Sequence, residues 1–413
     1  YSSAASDVYK RQFLKNVNNE IMKTPYFLIS RKEFDNNVAL LNKAINRHWK
    51  NTIVGYSVKS NGMPWVLKYM KEQGFYAEVV SDDEYSLAKA CGYPVNRIIY
   101  NGIAKEEASF KEAVIGGAIV NVDSWREVRW IKELPEDVDK KIGLRVNFDL
   151  EKMCPGQTAG GKEGSRFGLS YENGDLEKVV IELSALPNCR IVGLHLHNSI
   201  PTRSLDAYCA ISKKACEIAR VLDLTLDYVD IGGGYFGGLE NRPNYLNYFA
   251  IIADTLSEQF DKEKTTLIVE PGQSILATAI SYVTSVVDVK DTIYNRFVVT
   301  DGGRTQIDPM FRKTSHFYEI SAENYKDRNT HPKQVVSGFT CVEGDRLFTL
   351  IEQPELKEGD KIIYHKIGAY TYTSASQFIK FLPSIYVEDE NGIREVCKKW
   401  IAEDFMAKQI NDK

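Results

Sequence analysis

Residues 53–59 read Ile53-Val54-Gly55-Tyr56-Ser57-Val58-Lys59, a short apolar strand pattern that ends on a lysine and breaks at Ser60-Asn61-Gly62. Burying the charge of a lysine at the mouth of a buried strand is costly. The same position suits an amine that must be desolvated to react with a carbonyl group. Taken alone, Lys59 is better explained as a strand-end lysine that points to water, and the rest of the chain reverses that preference.

Strand-like and helix-like patterns alternate on both sides of this stretch, from about residue 30 to residue 280. Most of the strand candidates are short apolar or β-branched runs, as expected for strands buried on both faces. They are Ile53–Val58, Tyr76–Val80, Arg97–Asn101, Ala118–Val122, Lys141–Asn147, Arg190–His197, Leu226–Ile231 and Thr266–Glu270. Eight βα units predict an α/β fold of the (β/α)8 TIM-barrel type. A doubly wound open sheet is the competing architecture.

The pattern changes after about residue 280, where strand-like runs are separated by turns rather than by helices. The predicted organisation is therefore a barrel over residues 31–279 and a second, mainly β domain over residues 280–413. Residues 13–30 form an N-terminal segment in which Tyr26-Phe27-Leu28-Ile29 is expected to add a strand to the β domain. Residues 1–12 resemble a translated sequencing adapter, so we exclude them from the fold argument.

Composition excludes several function classes. The formal net charge of the 413 residues is −4, which gives no sign of a nucleic-acid or basic membrane surface. No apolar run is long enough to span a bilayer. The seven cysteines are odd in number and have no zinc-site or CxxC spacing. With no secretory signal visible, a cytoplasmic location is expected.

Polar residues that could take part in catalysis or binding lie where the predicted strands end, which is where barrel enzymes carry their active sites. The first strand ends in Lys59, the sixth in His195–Ser199, the seventh in Asp230–Gly234 and the eighth in Glu270–Gln273. Glycines after the seventh strand would let backbone N–H groups surround a phosphate. This glycine-rich turn, at the place where barrels commonly bind phosphate, favours the barrel over the open sheet.

A lysine, a phosphate cradle and a carboxylate together suggest pyridoxal 5′-phosphate. Lys59 would form the Schiff base, and Glu270 would face the pyridine nitrogen and keep it protonated. His197 could stack on the ring, whereas His195 is better explained as a core histidine. The His195-x-His197 pair could also bind a metal, since residues i and i+2 of a strand share a face. No third ligand with metal spacing is evident, so no metal is predicted.

The chain after about residue 20 resembles the fold type III pyridoxal phosphate enzymes, and within them the ornithine and diaminopimelate decarboxylases, which share an alanine racemase-like barrel. The motifs that carry this likeness are Tyr56–Asn61, Ser81–Glu84, Leu144–Val146, Ser165–Gly168, His195–Ser199, Asp230–Gly234, Glu270–Gly272, Asp301–Gly303, Cys341–Asp345 and Gly368–Thr371.

The resemblance implies a homodimer with active sites at the subunit interface. It assigns the Schiff base to Lys59, ring stacking to His197 and the pyridine contact to Glu270. The cofactor-binding set it implies also includes Ser199, Gly233, Gly234, Gly272 and Tyr370. In these decarboxylases a cysteine corresponding to Cys341 enters the site from the partner subunit. It reprotonates the quinonoid carbon after carbon dioxide leaves.

The implied function is decarboxylation of an amino acid in lysine-type or polyamine synthesis. A carboxylate at the pyridine nitrogen favours the deep electron sink that decarboxylation uses, whereas racemases of the same fold place an arginine there. A racemase or epimerase is therefore disfavoured. A non-catalytic decarboxylase-like regulator is also disfavoured, because such proteins tend to lose the lysine or the cofactor contacts.

The chain departs from the family pattern near the phosphate and the distal end of the substrate. Gln273 replaces a common arginine, and the contracted turn His197-Asn198-Ser199 puts the phosphate role of Ser199 in question. The candidate substrate residues are Arg304, Asp308, Arg312, Glu343 and Asp345. The acids would suit a second amine and the arginines a second carboxylate. A diamino acid, a diaminopimelate-like acid and a carboxy-polyamine therefore all remain as candidate substrates.

Overall fold

The structure, a computed structural model, describes residues 22–409, which fall into two units. The barrel unit runs from Asn36 to Ile275. The sheet unit combines the described residues up to Asp35 with those from Leu276 onward. The adapter-like segment predicted over residues 1–12 lies outside the described residues.

Eight parallel strands close the barrel. They are β2 (Thr52–Ser57), β3 (Tyr76–Val79), β4 (Ile98–Tyr100), β5 (Ile119–Val122), β6 (Lys140–Asn147), β8 (Cys189–His195), β9 (Tyr228–Asp230) and β10 (Thr266–Val269), and β7 (Leu169–Ser170) pairs only with the end of β6. Each strand pairs in parallel with the next, and β10 closes the ring by pairing with β2. The TIM-barrel prediction is confirmed, and the open sheet is ruled out.

Helices alternate with the barrel strands and supply the outer layer. Those of eight or more residues that follow β2 are Pro64–Glu72, Asp82–Ala90, Glu107–Ile115, Trp125–Lys132, Asp175–Ser184, Leu205–Val221 and Tyr245–Leu256. Several begin at residues that cap the free N–H groups of a first turn. Ser81 accepts from the Glu84 amide at 3.2 Å, and Ser204 accepts from the Ala207 amide at 3.2 Å. These caps fix where each helix begins after its strand.

The barrel interior is apolar at the amino ends of the strands and polar towards the carboxyl ends. Ile99, Val192, Tyr228 and Ile268 form a buried cluster, against which the early strand residues Ile53, Tyr76 and Ile119 pack. Two glycines make room for the Tyr228 side chain. A Cβ on Gly143 would lie 1.9 Å from the Tyr228 hydroxyl, and one on Gly193 would lie 2.1 Å from its ring. The tyrosine therefore fits only because both strands carry glycine where it packs.

The sheet unit is built on one branched, mainly antiparallel sheet. Its strands are β1 (Tyr26–Ser30), β11 (Ile280–Asp291), β12 (Arg296–Thr300), β13 (Phe317–Ser321), β14 (Thr330–Ser337), β15 (Arg346–Pro354), β16 (Lys361–His365), β17 (Ser384–Asp389) and β18 (Gly392–Cys397). β1 lies between β11 and β17, antiparallel to the first and parallel to the second. The sequence pattern predicts strands over Ile280–Val289, Arg296–Val299, Lys333–Thr340, Lys361–His365 and Pro383–Glu388, and it misses β13, β15 and β18. Among the described helices, none is both long and apolar enough to cross a bilayer.

Candidate functional site

Lys59 lies on a short 3-10 turn, Val58–Ser60, directly after β2. Its Nζ is 2.7 Å from Oε2 of Glu78, with the lysine side chain 37% exposed and the glutamate 1% exposed. The amine therefore stands at the edge of the barrel interior, with a buried acid beneath it. This is the setting that an amine needs if a carbonyl compound is to reach it from solvent.

Glu78 is a carboxylate inside an otherwise apolar strand, β3. Besides Lys59, it accepts hydrogen bonds from the Ser57 hydroxyl at 2.8 Å and from the Asn101 amide at 3.1 Å. A buried carboxylate is stable only when such donors replace the water it has lost. Sequence reasoning missed Glu78, although a charge in the middle of the run Tyr76-Ala77-Glu78-Val79 was a readable signal.

Glu270 follows β10 and is 4% exposed. Its Oε1 accepts from the Asn101 amide at 2.6 Å, so one amide joins Glu270 to Glu78. Nε2 of His195 lies 3.5 Å from Oε2 of Glu270 and has no hydrogen-bond partner among residues 22–409. The predicted pyridine acid thus lies close to the acid that pairs with Lys59.

Asp230, at the end of β9, is a third buried carboxyl group in this cluster. Its Oδ1 accepts from the Gly232 amide at 2.8 Å. Burial, followed by the neighbouring charge of Glu270, raises the pKa of Asp230 well above its usual range. Asp230 therefore retains a proton more readily than an exposed aspartate.

A set of candidate metal ligands appears that sequence spacing did not reveal. Ligand atoms of His195, Asp230 and Glu270 all lie within 4.8 Å of one another. The three residues come from three neighbouring strand ends, so their spacing along the chain hides the grouping. His195 is 1% exposed, as expected for a core histidine, and it also lies beside the predicted pyridine acid.

His197 lies one strand period beyond His195, with the two rings nearly parallel (17°) and their centroids 6.4 Å apart. Its Nδ1 accepts from the Gly233 amide at 3.3 Å. Burial, reinforced by the nearby Arg145 guanidinium, lowers the pKa of His197 to about 3. The imidazole is therefore neutral at physiological pH.

The glycine turn after β9 has a backbone that other residues do not readily adopt. Gly232 and Gly234 have φ values of +70° and +90°. A Cβ on Gly233 would lie 2.0 Å from the Glu270 carbonyl oxygen. The hydroxyls of Tyr208 and Tyr235 donate to the carbonyls of Gly233 and Gly232 at 2.8 and 3.0 Å. The turn is thus held rigidly against the strand end that carries Glu270.

Arg203 lies beside Gln273, the position at which the decarboxylases that this chain resembles commonly have an arginine. Its Nη2 donates to Oε1 of Gln273 at 2.6 Å, and its Nη1 to the Tyr235 carbonyl at 3.4 Å. The guanidinium also lies 5.0 Å from the centroid of the Phe236 ring. A cation from the loop after β8 is therefore held between the glycine turn and the segment that follows Glu270. Sequence reasoning did not find Arg203, because no local pattern connects it with Gln273.

Two other predicted cofactor residues have different surroundings. Ser199 is exposed, and its carbonyl accepts from the Ala159 amide at 2.9 Å. Gly272 packs tightly: a Cβ there would lie 2.1 Å from the Ser60 hydroxyl oxygen. The lysine turn and the turn after Glu270 can approach each other only because residue 272 is glycine.

Cys341, Glu343 and Tyr370 belong to the sheet unit. Cys341 is exposed, the Glu343 side chain is 95% exposed, and Tyr370 is 46% exposed with φ +56°. A tyrosine in this left-handed backbone conformation is uncommon, and such strain is concentrated at functional sites.

Asp308 and Asp345 form hydrogen bonds inside the sheet unit. Asp345 accepts from the backbone amides of Arg304 (2.8 Å) and Thr340 (3.1 Å). Asp308 pairs with the Arg304 guanidinium and accepts from the Arg312 and Lys313 amides at 3.0 and 3.1 Å. These bonds favour a structural role for both acids, and for the Arg304 guanidinium, over the predicted contacts with substrate.

The residues of the barrel unit fit pyridoxal phosphate. His195 Nε2 is buried without a hydrogen-bond partner among residues 22–409 and lies 3.5 Å from a buried acid, Glu270. Since buried polar groups are normally paired, this end of the barrel suits a ligand with a polar group. The glycine turn leaves no room for side chains. Lys59 lies within hydrogen-bond distance of Glu78.

Comparisons with known proteins agree with this fit. Residues 34–277 match the family described as pyridoxal-dependent decarboxylase, pyridoxal binding domain. A diaminopimelate decarboxylase from Aquifex aeolicus is 28% identical over 86% of this chain and 85% of its own length. The solved structure of diaminopimelate decarboxylase from Helicobacter pylori complexed with L-lysine is 25% identical, with a TM-score of 0.80 and coverage of 97% of this chain and 98% of that one. The structure of the Methanocaldococcus jannaschii enzyme, at 22% identity, covers 95% of this chain and 93% of its own with a TM-score of 0.84, which supports the fold.

Proposed function

Since the chain belongs to the pyridoxal-dependent decarboxylases, we propose that its substrate is a diamino acid of the diaminopimelate type. The protein is a pyridoxal phosphate-dependent amino acid decarboxylase, a carboxy-lyase. The observation that carries the decarboxylase site is the contact of the half-exposed Lys59 with the buried Glu78, together with the single amide that joins Glu78 to Glu270. We propose the substrate, the roles of the individual residues and the homodimer.

Lys59 would hold the cofactor, with Glu270 at the pyridine nitrogen and His197 against the ring. Gly233 and Gly234 would hold the phosphate in the barrel unit, and the family resemblance adds Tyr370 to the phosphate contacts and Ser199 and Gly272 to the cofactor-binding set. When bound, pyridoxal phosphate supplies an electron sink for the charge left on carbon when carbon dioxide departs. The chain's own residues keep the pyridine end of the site anionic, buried and fixed in position.

Proton handling falls to Glu78 and Cys341. Glu78 is 2.7 Å from the Lys59 amine, so it can stabilise the ammonium form and exchange a proton with it. Cys341 is exposed on the sheet unit, and we assign it as the proton donor to the substrate carbon from the partner subunit of a homodimer. The exposure of Cys341 on the sheet unit leaves its thiol accessible to a partner subunit.

Arg312 and Glu343 are the substrate candidates with exposed side chains. The backbone amide of Arg312 is fixed by Asp308 while its side chain extends into solvent. Glu343 is ion-paired to Arg346 at 3.3 Å, at a fully solvated surface where such pairs are weak. An arginine and a glutamate would together suit a substrate that carries both a distal carboxylate and a distal amine, as diaminopimelate does. The names of the relatives support the same choice.

The test is a measurement of carbon dioxide released from a panel of diaminopimelate, lysine, ornithine, arginine and carboxy-polyamines. We expect the highest kcat/KM for diaminopimelate. Arg312→Met should lower kcat/KM about tenfold to a hundredfold for diaminopimelate and leave it almost unchanged for substrates without a second carboxylate. Turnover of a carboxy-polyamine or of ornithine in preference to diaminopimelate would replace the proposed substrate. Racemised acid without carbon dioxide would contradict the reaction itself.

A further inference from the structure

We propose that Asn101 is a positioning residue that fixes Glu270 against the pyridine nitrogen and, with the same amide, fixes the acid beneath Lys59. The inference rests on the proposed cofactor site and extends it to a residue that never touches the cofactor. Asn101 follows β4, is 2% exposed, and continues the strand by donating its backbone N–H to the Val79 carbonyl at 2.8 Å.

Both N–H donors of the Asn101 side chain are used. Its Nδ2 donates to Oε1 of Glu270 at 2.6 Å and to Oε1 of Glu78 at 3.1 Å. Its Oδ1 accepts from Nδ2 of Asn121 at 2.8 Å. An amide has two N–H donors, so the two acids take both of them, while the oxygen is engaged by Asn121.

The orientation of the amide follows from chemistry. If the Asn101 amide were turned over, its oxygen would face two carboxylate oxygens, and its NH2 group would face the Asn121 NH2 group. Both contacts would be repulsive, so one orientation is strongly favoured. Two buried acids that would otherwise repel each other are thereby held at a fixed separation.

A second asparagine and a tyrosine lock this orientation from behind. Oδ1 of Asn121 accepts from the Tyr228 hydroxyl at 2.8 Å, so hydrogen bonds run in one direction from Tyr228 through Asn121 and Asn101 to the acids. Asn121 is 1% and Tyr228 6% exposed. The tyrosine enters the barrel because residues 143 and 193 are glycine, where a Cβ would lie 1.9 and 2.1 Å from it. Two strands are thus shaped to admit the group that orients the chain of amides.

The consequence is specific to the ring nitrogen. A carboxylate fixed by a charge-assisted hydrogen bond makes a stronger contact with a pyridinium N–H than one that can rotate away. Removing Asn101 should therefore weaken binding of a ring that carries nitrogen more than binding of a ring that does not. A general loss of stability would weaken both equally.

The experiment compares dissociation constants of full-length protein, freed of cofactor, for pyridoxal phosphate and for its 1-deaza analogue, in which carbon replaces the ring nitrogen. The wild type should prefer pyridoxal phosphate, and Glu270→Gln should abolish that preference. Asn101→Leu, which keeps the volume and removes the donors, should reduce the preference by about tenfold or more. Tyr228→Phe should reduce it by less, in the same direction.

Asn37→Leu is the matched control, because the Asn37 amide is also buried but donates to a backbone carbonyl, that of Ile275, at 2.8 Å. It should lower stability and leave the preference unchanged. If Asn101→Leu does not fold, the same ratio of the two dissociation constants is measured for Asn101→Ser, which can donate to one acid at most. An unchanged preference in a folded Asn101 variant overturns the proposal while leaving the proposed function intact. A wild type with no preference for the ring nitrogen contradicts the placement of Glu270 and Asn101 together.

Discussion

At the level of single residues, the cation beside the glycine turn comes from an unexpected place. Gln273 removes a charge that family members commonly have, and Arg203 reaches the same side chain from the loop after β8. Its backbone has φ +50°, and the Tyr248 hydroxyl donates to its carbonyl at 2.8 Å, so the loop is held in a specific conformation. The contact suggests that Arg203 supplies the charge that the phosphate requires.

Arg203→Met should weaken binding of pyridoxal phosphate about tenfold to a hundredfold, because a charge-assisted contact with a phosphate is lost. Binding of pyridoxal, which lacks the phosphate, should hardly change. Adding Gln273→Arg to the variant should restore most of the affinity. Titration of cofactor-free protein with both ligands measures the effect, and an equal loss for the two ligands would show that Arg203 acts only on the fold.

His197 makes stability depend on pH in a defined direction. Its folded-state pKa is lowered from the ordinary 6.5 to about 3 by burial and by Arg145. The unfolded chain therefore takes up a proton below about pH 6.5 that the folded chain refuses, so stability is lost as pH falls from 6.5 towards 3.

His197→Gln should make the free energy of unfolding of the cofactor-free protein less dependent on pH over this range. The slope should fall by up to one proton, on the order of 1.4 kcal/mol per pH unit. Urea unfolding at several pH values measures the slope. His195→Gln should act in the same sense, because burial lowers the pKa of that ring too. A slope equal to that of the wild type would contradict a neutral His197 in the folded protein.

Local pattern was sufficient for some site residues and not for others. Lys59, Glu270 and the glycine turn were predictable because each ends a strand, and in a barrel all strand ends meet. Glu78 and Asn121 had a weaker signal, a polar residue inside an apolar strand. Asn101 also ends a predicted strand, Arg97–Asn101, but its two acid partners could not be read from that position. Arg203 had no local signal, since its role depends on which side chains of distant strands and loops meet. The same limit applies to Asp345, a candidate substrate residue whose hydrogen bonds to backbone amides of its own unit could not be read from the sequence.

At the level of elements, β6, β8 and β9 are fitted to one another around a tyrosine. Gly143 and Gly193 leave the space that the Tyr228 side chain fills. The strands β6, β8 and β9 are buried on both faces, which explains why the sequence predicted them with almost the observed bounds. The strands β13, β15 and β18 were missed, and each of them has several exposed or half-buried residues rather than the fully buried pattern of the barrel strands.

Gly193→Ala should destabilise the protein by roughly 1–3 kcal/mol, because the new Cβ would overlap the Tyr228 ring. Tyr228→Leu removes the ring, so the two changes together should cost less than the sum of each alone. Gly344→Ala is the control, since a Cβ there has no neighbour nearer than 4.0 Å. Equilibrium unfolding in urea gives the free energies, and strict additivity of the two changes would contradict the packing described.

At the level of the whole molecule, the proposed function assigns residues of two subunits to one active site. Lys59 belongs to the barrel unit and Cys341 to the sheet unit, where the cysteine is exposed. Assignment of Cys341 to the partner subunit's site makes a homodimer necessary for turnover and not only for stability.

Mixing the inactive variants Lys59→Ala and Cys341→Ala, with subunit exchange, should therefore restore activity. A mixed dimer has one site with both residues intact, so random exchange should give about a quarter of wild-type activity. Each variant alone should remain nearly inactive. Exchange that is demonstrated by mass spectrometry but yields no activity would place both residues in the same subunit's site.

The central claim, that Lys59 carries the cofactor of a decarboxylase, is tested most directly by reducing the protein with borohydride and locating the modified residue by peptide mass spectrometry. We predict a yellow protein whose absorbance band disappears on reduction, with one phosphopyridoxyl group attached to Lys59 and none in Lys59→Ala. A phosphopyridoxyl group on another lysine, or an unchanged band in Lys59→Ala, would contradict it.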